Sequence, residues 1–563
     1  MVFKRKIKSL ILALFALALC GMISACVVDA KDDEKSEQTP TEEVAELSSV
    51  KIDGAAGIEA TKSGTLTATP TFTNASGDSS SVTYKWEITG GSGYATLSPT
   101  SGTSVTITGK NTTTSEQTVT VKVTATYNNK SVSATYNVKI AAGGESGGES
   151  GGSGSGGTSG NVISKNGTPT GFATIDVSKM TKTITVSTAA DFKTYVEKGG
   201  YIVYVSGSID LSKGKLPSEA GGTSTALDEF VKSKSSGAYT SYKTFIDAYT
   251  KSCESSTNHK DNPKTSTWAA CTVDDDTTTT LMNQMWYLNT AYGNEITIKP
   301  KSNTMIIGLD ENAEIYGGSF NISSVSNVAI RNVTIRDAYD PFPHHEKNDG
   351  FNAQHDCIVI QGTSSNIWID HCTLKDSYHC VNAANGEKFQ TYDGLLDMKN
   401  NTYNLTVSYC KFQDHDKTML IGSSKDDGSN ETRTITLHHN YFLNCGQRLP
   451  MVRNTRLHNF NNYYDTDSNR YWAQQYAVGV RENALIVSEN NYFGTGVKYS
   501  YKDSDGTLYH SGDVDNSSGK ITTTTVTSTK PFTPTYSYTP DAAADLPTLI
   551  PENAGAGVWN VVQ

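Results

Sequence analysis

The phrase Asn366-Ile367-Trp368-Ile369-Asp370-His371-Cys372-Thr373-Leu374 decides the fold, because its pattern recurs along the second half of the chain. A short apolar strand, a polar turn position and a second short strand also make up Asn327 to Ile335, Asn404 to Phe412, Thr434 to Phe442, His458 to Tyr464 and Leu485 to Phe493. Aligned on the turn, the repeating positions are Asn332, Cys372, Cys410, Asn440, Asn462 and Asn491, with steps of 40, 38, 30, 22 and 29 residues. A shortest step of 22 with longer ones above it predicts a right-handed parallel β-helix whose coils carry outward insertions. Asn side chains stacked inside such a solenoid hydrogen-bond along its axis, which satisfies amides that burial would otherwise leave unpaired. Cys372 and Cys410 take that position in adjacent coils and read as packing residues, with a disulfide as the alternative in an exported protein.

Upstream of the solenoid, Gly143 to Gly160 contains ten glycines in eighteen residues. Such a segment behaves as a flexible coil reaching about 20–25 Å, so residues 142–160 form a linker and 161–563 form the solenoid domain. Residues 47–141 hold no Cys and show period-2 alternation, for example Val119, Val121, Val123, Ala125 and Tyr127. That pattern predicts a small antiparallel β-sandwich, and it resembles bacterial Ig-like surface modules. The fold class is therefore all-β. Trp86, in phase with apolar neighbours, is expected in the sandwich core; the alternative is a sugar platform made with Tyr94.

The N-terminus carries Lys4, Arg5, Lys6 and Lys8 before an apolar run from Leu10 to Leu19. The run is too short to span a bilayer comfortably and reads as an export signal over 1–25. It closes on Ile23-Ser24-Ala25-Cys26, which resembles a bacterial lipobox and implies a lipid on Cys26. An acidic tether over 26–46 follows; Asp29 to Glu46 holds eight acidic residues and two lysines, more than half of the net charge of −11. No nucleic-acid partner is expected from so acidic a chain. Of nine Cys, Cys20 and Cys26 belong to the signal and lipid site, which leaves seven, an odd number. Cys253 and Cys271 are the expected disulfide, in a polar insertion where Tyr242, Phe245, Ile246 and Tyr249 predict a local helix.

Charged residues gather in the insertions of the middle coils. Asp393 and Asp397 lie just before the strand at Leu405, and Asp356 precedes the strand at Ile367. Equivalent places in successive coils are about 4.8 Å apart, so converging carboxylates there would suit Ca²⁺, a hard cation that takes oxygen ligands. On spacing alone, acidic surface loops account for these residues equally well. Asp416-Lys417 and Gln447-Arg448-Leu449-Pro450-Met451-Val452-Arg453 follow in the next two coils on the same side.

With these phrases the chain closely resembles the pectate lyases of the large parallel β-helix family, polysaccharide lyase family 1, and especially its calcium-dependent Bacillus-type members. The family's Trp-Ile-Asp-His phrase stands here as Trp368-Ile369-Asp370-His371, and its Arg-x-Pro-x-x-Arg phrase as Arg448 to Arg453. Arg336 to Pro343, Asp414 to Lys417 and Leu437 to Asn440 also match, and the likeness runs from about Gly171 to Gly557. The resemblance implies cleavage of de-esterified (1→4)-α-D-galacturonan by β-elimination to 4,5-unsaturated oligogalacturonides. It implies Asp356, Asp393 and Asp397 as Ca²⁺ ligands, Lys417 and Arg453 as substrate-binding residues, and Arg448 as the catalytic base. A guanidinium ordinarily keeps its proton, so this last role calls for neighbouring cations and alkaline conditions. Without the other motifs, Arg448 and Arg453 read as salt-bridged residues on the solenoid face. Some family members have an acidic residue two before the first ligand; Gln354 stands there.

His371 falls in a strand-to-turn phrase that the family treats as structural. His344, His345 and His355 are expected in a solvated loop, and Tyr339 and Phe342 in packing. The implied protein is a monomer acting on pectin, lipid-anchored at the bacterial cell surface or outer membrane, or released as a secreted enzyme. A metal-independent pectin lyase and an inactive pectin-binding surface protein are the alternatives; galacturonan hydrolases need paired carboxylates around a water, which the arginine-centred phrases do not supply.

Overall fold

The computed structural model describes residues 45–55, 57–60, 62–73, 79–111, 117–141, 162–253, 267–274, 278–502, 505–522 and 525–563. The export signal, Cys26, most of the acidic tether and the Gly-rich linker lie outside the described residues. Two compact units are present: one within 45–57, 63–108 and 118–139, the other built mainly on 162–563.

Period-2 patterning gives the first unit two four-stranded sheets. Glu46–Gly54 pairs antiparallel with Ser63–Thr73, which pairs antiparallel with Ser104–Gly109, and Thr83–Gly90 pairs antiparallel with Gln117–Tyr127. Along Gln117–Tyr127, Val119, Val121, Val123 and Ala125 are fully buried while their neighbours are not, as alternation of side chains across a sheet requires. Trp86 is 1% exposed and donates its indole N–H to the Gly102 carbonyl at 2.9 Å, so it is a core residue.

The second unit is a parallel β-helix with ten-, nine- and eight-stranded parallel sheets, each listing its strands in chain order. One coil shows the plan: Ser365–Asp370 joins the ten-stranded sheet, Thr373–Lys375 the nine-stranded one, and Leu396–Met398 the eight-stranded one. Tyr403–Ser408 then returns to the ten-stranded sheet. Inward Ile, Leu, Val and Phe form one continuous core. The first corner is only two residues long, whereas the connection from the nine- to the eight-stranded sheet carries the long loops.

The short corner holds the expected amide ladder. Asn440 donates through Nδ2 to Asn462 Oδ1 at 2.9 Å, and Asn462 through Nδ2 to Asn491 Oδ1 at 3.2 Å. Each of these oxygens also accepts the backbone N–H of the preceding coil, Asn440 Oδ1 from Cys410, for example, at 2.9 Å. Asp513 closes the ladder by accepting from Asn491 N at 2.8 Å. The expected position in the first repeat is one residue off. Arg331 pairs with Asp370, so Asn332 faces His371 and Val333 faces Cys372. Asn332, His371, Tyr409, His439, Asn461 and Asn490 instead hold the left-handed conformation, φ from 49° to 55°, that turns the corner. His371, Tyr409 and His439 stack there, with ring centroids 4.8 and 4.7 Å apart.

The Trp-Ile-Asp-His phrase is structural. Arg331 lies over the Trp368 ring at 4.0 Å, pairs with Asp370 at 2.9 Å and donates to the Ser164 carbonyl at 2.6 Å. Beside it, the C-terminal Asn560–Val562 pairs in parallel with Val162–Ser164, so the end of the unit meets its beginning. In the insertion of the first coil, Tyr242–Ser252 is a helix capped by Ser241, with Tyr242, Phe245, Ile246 and Tyr249 buried. The expected Cys253–Cys271 bond is not formed; the thiols donate to the Tyr249 and Thr267 carbonyls of their own helices. Cys372 and Cys410 are buried free thiols. Among the described residues no helix is long and apolar enough to cross a membrane.

Candidate active site

Successive coils deliver Asp356, Asp393, Lys417 and Arg448 through the same connection, just ahead of the eight-stranded sheet. Backbone bridges align Gly394 with Lys417 and Lys417 with Gln447, so the insertions run in register, with Asp393 and Arg448 each one residue from the aligned row. Asp397, on Leu396–Met398, and Arg453, just after Met451–Val452, extend the site onto the outer face of that sheet.

Asp356 and Asp397 converge over Gly394. A Cβ on that glycine would lie 2.7 Å from Asp397 Oδ1 and 2.8 Å from Asp356 Oδ1, so only a glycine leaves the space between them open. Asp356 Oδ1 accepts from Gly394 N at 2.9 Å, and Asp397 Oδ1 accepts from Leu420 N at 3.0 Å. Lys399 reaches both carboxylates, 3.2 Å from Asp356 and 3.0 Å from Asp397. Burial and the neighbouring Asp397 push the Asp356 carboxyl well above the usual carboxylate range, and burial raises Asp397 as well. Burial opposes the charge on Lys399, but Asp356 and Asp397 outweigh it and hold the ammonium protonated.

Asp393 points the other way. Lys417 donates to Asp393 Oδ1 at 2.6 Å and to Asn352 Oδ1 at 2.7 Å. Burial would raise the Asp393 carboxyl, yet Lys417 holds it below its ordinary value. Thus, among the described residues, no three His, Cys, Asp or Glu side chains close on one point. The donor set nonetheless fits a divalent cation: two buried carboxylates with hard oxygens share an open space and already draw in an ammonium. Behind them His415 bonds to Asp376 through Nδ1 and donates through Nε2 to the Asp393 carbonyl at 2.8 Å, which fixes the backbone of that loop.

The two arginines differ. Arg453 Nε pairs with Glu482 at 2.7 Å and its Nη1 donates to the Gly422 carbonyl at 3.2 Å. Arg448 has φ 60°, and among the described residues its buried Nε has no hydrogen-bond partner and no carboxylate is in ion-pair contact with it. The salt-bridged reading therefore holds for Arg453 and fails for Arg448.

A family model described as pectate lyase matches residues 292–559, which contain every one of these side chains. Pectate lyase D of Dickeya chrysanthemi is 35% identical over 283 residues, covering 46% of this chain and 71% of that protein. The chain belongs to the pectate lyase family. A Bacillus subtilis pectate lyase is 36% identical over 275 residues, 46% of this chain and 65% of that protein. Pectate lyase E of Dickeya chrysanthemi is 39% identical, with 49% of its length spanned. Among solved structures, a Bacillus subtilis pectate lyase mutant superposes with a TM-score of 0.54 at 29% identity, over 70% of this chain and 96% of that one. A pectate lyase bound to hexasaccharide gives 0.53 at 28% identity, over 68% and 92%.

Several residues that shape this lyase-family site escape the sequence motifs. Lys399 had a local signal, since it lies two residues beyond Asp397 and so on the same side of an extended chain. His415 lies in the matched Asp414–Lys417 phrase, but Asn352, Glu482 and Asp376 had no signal, because each meets its partner from another coil. The loop histidines are not solvated as expected. His344 and His345 are buried, the first against Trp286 and the second bonded to Glu387 at 2.7 Å, because the helical insertion covers them. Tyr339 and Phe342 are fully buried packing residues, as expected.

Proposed function

We propose that this protein is a calcium-dependent pectate lyase that cleaves de-esterified (1→4)-α-D-galacturonan by β-elimination. The observation that carries the reading is the delivery, by successive coils at the edge of one sheet, of the Asp356–Asp397 carboxylate pair, Lys417 and an Arg448 without a carboxylate partner among the described residues. In a polyanionic substrate the C5 proton, alpha to the uronate carboxylate, is only weakly acidic, so charge developing on that carboxylate must be stabilised. Asp356, Asp393 and Asp397 would hold calcium, which when bound withdraws charge from the uronate carboxylate as a Lewis acid.

The chain's own groups account for the rest. Lys417 and Arg453 bind substrate carboxylates and fix the ring; the tie to Glu482 sets where the Arg453 guanidinium points. Arg448 takes the C5 proton in its neutral guanidine form, the form with a lone pair to accept it, and among the described residues no carboxylate is in ion-pair contact with it. The C5–H electron pair becomes the C4=C5 double bond, and the glycosidic oxygen departs with the C4–O pair and takes a proton from water. The site pair Asp356 and Asp397 argues against a metal-independent pectin lyase, for which two buried carboxylates would be a cost without a use.

On the same footing, the lipobox supports attachment through a lipid on Cys26 at the bacterial surface, with the small β-sandwich as a spacer and pectin as the partner of a monomeric enzyme. The test is incubation of the full chain with polygalacturonate, with and without a calcium chelator, following the ultraviolet absorbance of the unsaturated product. Absorbance that needs calcium is expected. New reducing ends without absorbance would mean hydrolysis and defeat the lyase reading, and activity untouched by chelator would remove the metal.

A further inference from the structure

The coil after Arg448 places two aromatic side chains in the same connection that carries Asp356, Asp393, Lys417 and Arg448. Met451–Val452 pairs with Val478–Val480, and Gln475 N donates to the Gly446 carbonyl at 2.7 Å, so the loop over 466–477 is the next rung of that stack. Its tip holds Tyr471 and Trp472. Tyr471 is 52% exposed, which is unusual for so large a ring in a fold that buries nearly all its aromatics.

Both rings are braced. His379 stacks flat on Tyr471 with centroids 3.9 Å apart and 4° between planes, and Trp472 stands edge-on to Tyr471 at 4.8 Å and 88°. The Tyr471 hydroxyl donates to the Cys380 carbonyl at 3.2 Å. Trp472 is half-buried and forms one wall of a small pocket whose other walls include Lys417, Asp416 and Tyr392. No protein acceptor receives its indole N–H among the described residues. An indole fixed at its edge, with an unused donor and the Lys417 ammonium, itself held by Asp393 and Asn352, across the same pocket, is a pairing that can recognise an acidic sugar: the ring takes the apolar face of a pyranose, and the N–H and the remaining ammonium hydrogen take its carboxylate.

We propose that Trp472, braced by Tyr471 and His379, forms the wall of a further galacturonate subsite, one rung beyond the ring held by Lys417. The inference rests on the lyase reading for the identity of its ligand. It makes Trp472 a substrate-binding residue that acts on chain length, with no part in proton transfer. A longer oligomer reaches the wall, while a trimer seated on the central residues gains less from it.

The test measures initial rates of unsaturated product on hexagalacturonate and trigalacturonate for the full chain, unaltered and carrying Trp472→Ala or Trp472→Phe. The expected result is a KM on hexagalacturonate raised about tenfold by Trp472→Ala with kcat within about twofold, a smaller change on the trimer, and recovery to within about threefold in Trp472→Phe. An unchanged KM in Trp472→Ala overturns the subsite, as does a Trp472→Phe protein as impaired as Trp472→Ala. If the unaltered chain makes no unsaturated product, the lyase reading fails, and calorimetric titration with hexagalacturonate decides the subsite separately. Binding weakened about tenfold by Trp472→Ala then sustains the wall; binding that is equal in both proteins, or absent from both, overturns it.

Discussion

At the corner between the ten- and nine-stranded sheets, Asn440, Asn462 and Asn491 are fully buried, and each amide meets a partner in a neighbouring coil. At the corner leading into the eight-stranded sheet, Asp356 and Asp397 are almost as deeply buried, yet they face each other across an open space and share the ammonium of Lys399. The same coil thus treats buried polarity in two ways. A neutral amide carries both donor and acceptor, so a stack of amides satisfies itself and contributes to stability. A carboxylate only accepts, so a stack of carboxylates calls for a cation and contributes to binding.

The contrast can be broken at either corner. Arg448→Lys should cut the rate of unsaturated product about 10³-fold or more, the scale of a lost general base with its geometry, while the thermal midpoint stays near that of the unaltered chain. Normal turnover in this variant would remove Arg448 from the chemistry. At the other corner, Asn462→Ala leaves Asn440 and the Asn440 backbone N–H without their shared acceptor. A loss of about 2–3 kcal/mol in denaturant unfolding is expected, with KM and kcat unchanged. Removing the in-built cation gives a smaller effect: Lys399→Met should tighten calcium binding about tenfold by calorimetry, because no ammonium then competes for Asp356 and Asp397. Equal affinity would show that Lys399 yields the space without cost.

The smallest expected effect depends on pH. Glu489, at the end of Leu485–Glu489, accepts from Lys530, Tyr538 and His458; burial opposes its charge, but these partners lower its pKa to about 2. A carboxyl depressed in the folded state contributes stability above its unfolded pKa and loses it as pH falls toward the folded one. The difference in thermal midpoint between the unaltered chain and Glu489→Gln should therefore shrink as pH drops from about 4.5 to about 2. A difference that stays constant over that window would exclude the linkage.

The solenoid and its polarity were legible in the repeating phrases because each phrase contains a whole corner: strand, turn and strand. What the phrases blur is which of two adjacent positions enters the ladder. Asn461-Asn462 and Asn490-Asn491 put the same residue at the left-handed turn and at the ladder, since Asn suits both a positive φ and a buried amide stack. In the first repeat Asn332 takes the turn and Val333 the interior, and nothing local distinguishes that from the reverse. Of the site residues named by motif, Asp356 meets Asp397 over Gly394 and Asp393 meets Lys417, while Arg453 turns to Glu482. Glu482, which fixes Arg453, lies 29 residues beyond it, and only the length of one coil makes that spacing meaningful.

The strand pair between Val162–Ser164 and Asn560–Val562 has a mechanical meaning. It is a three-residue clasp that turns the solenoid from an open coil into a closed circuit, reinforced where Arg331 holds the Ser164 carbonyl. A load applied at Val162 would meet the backbone bonds to Asn560–Val562 and the Arg331 contact before it reached the coils behind them.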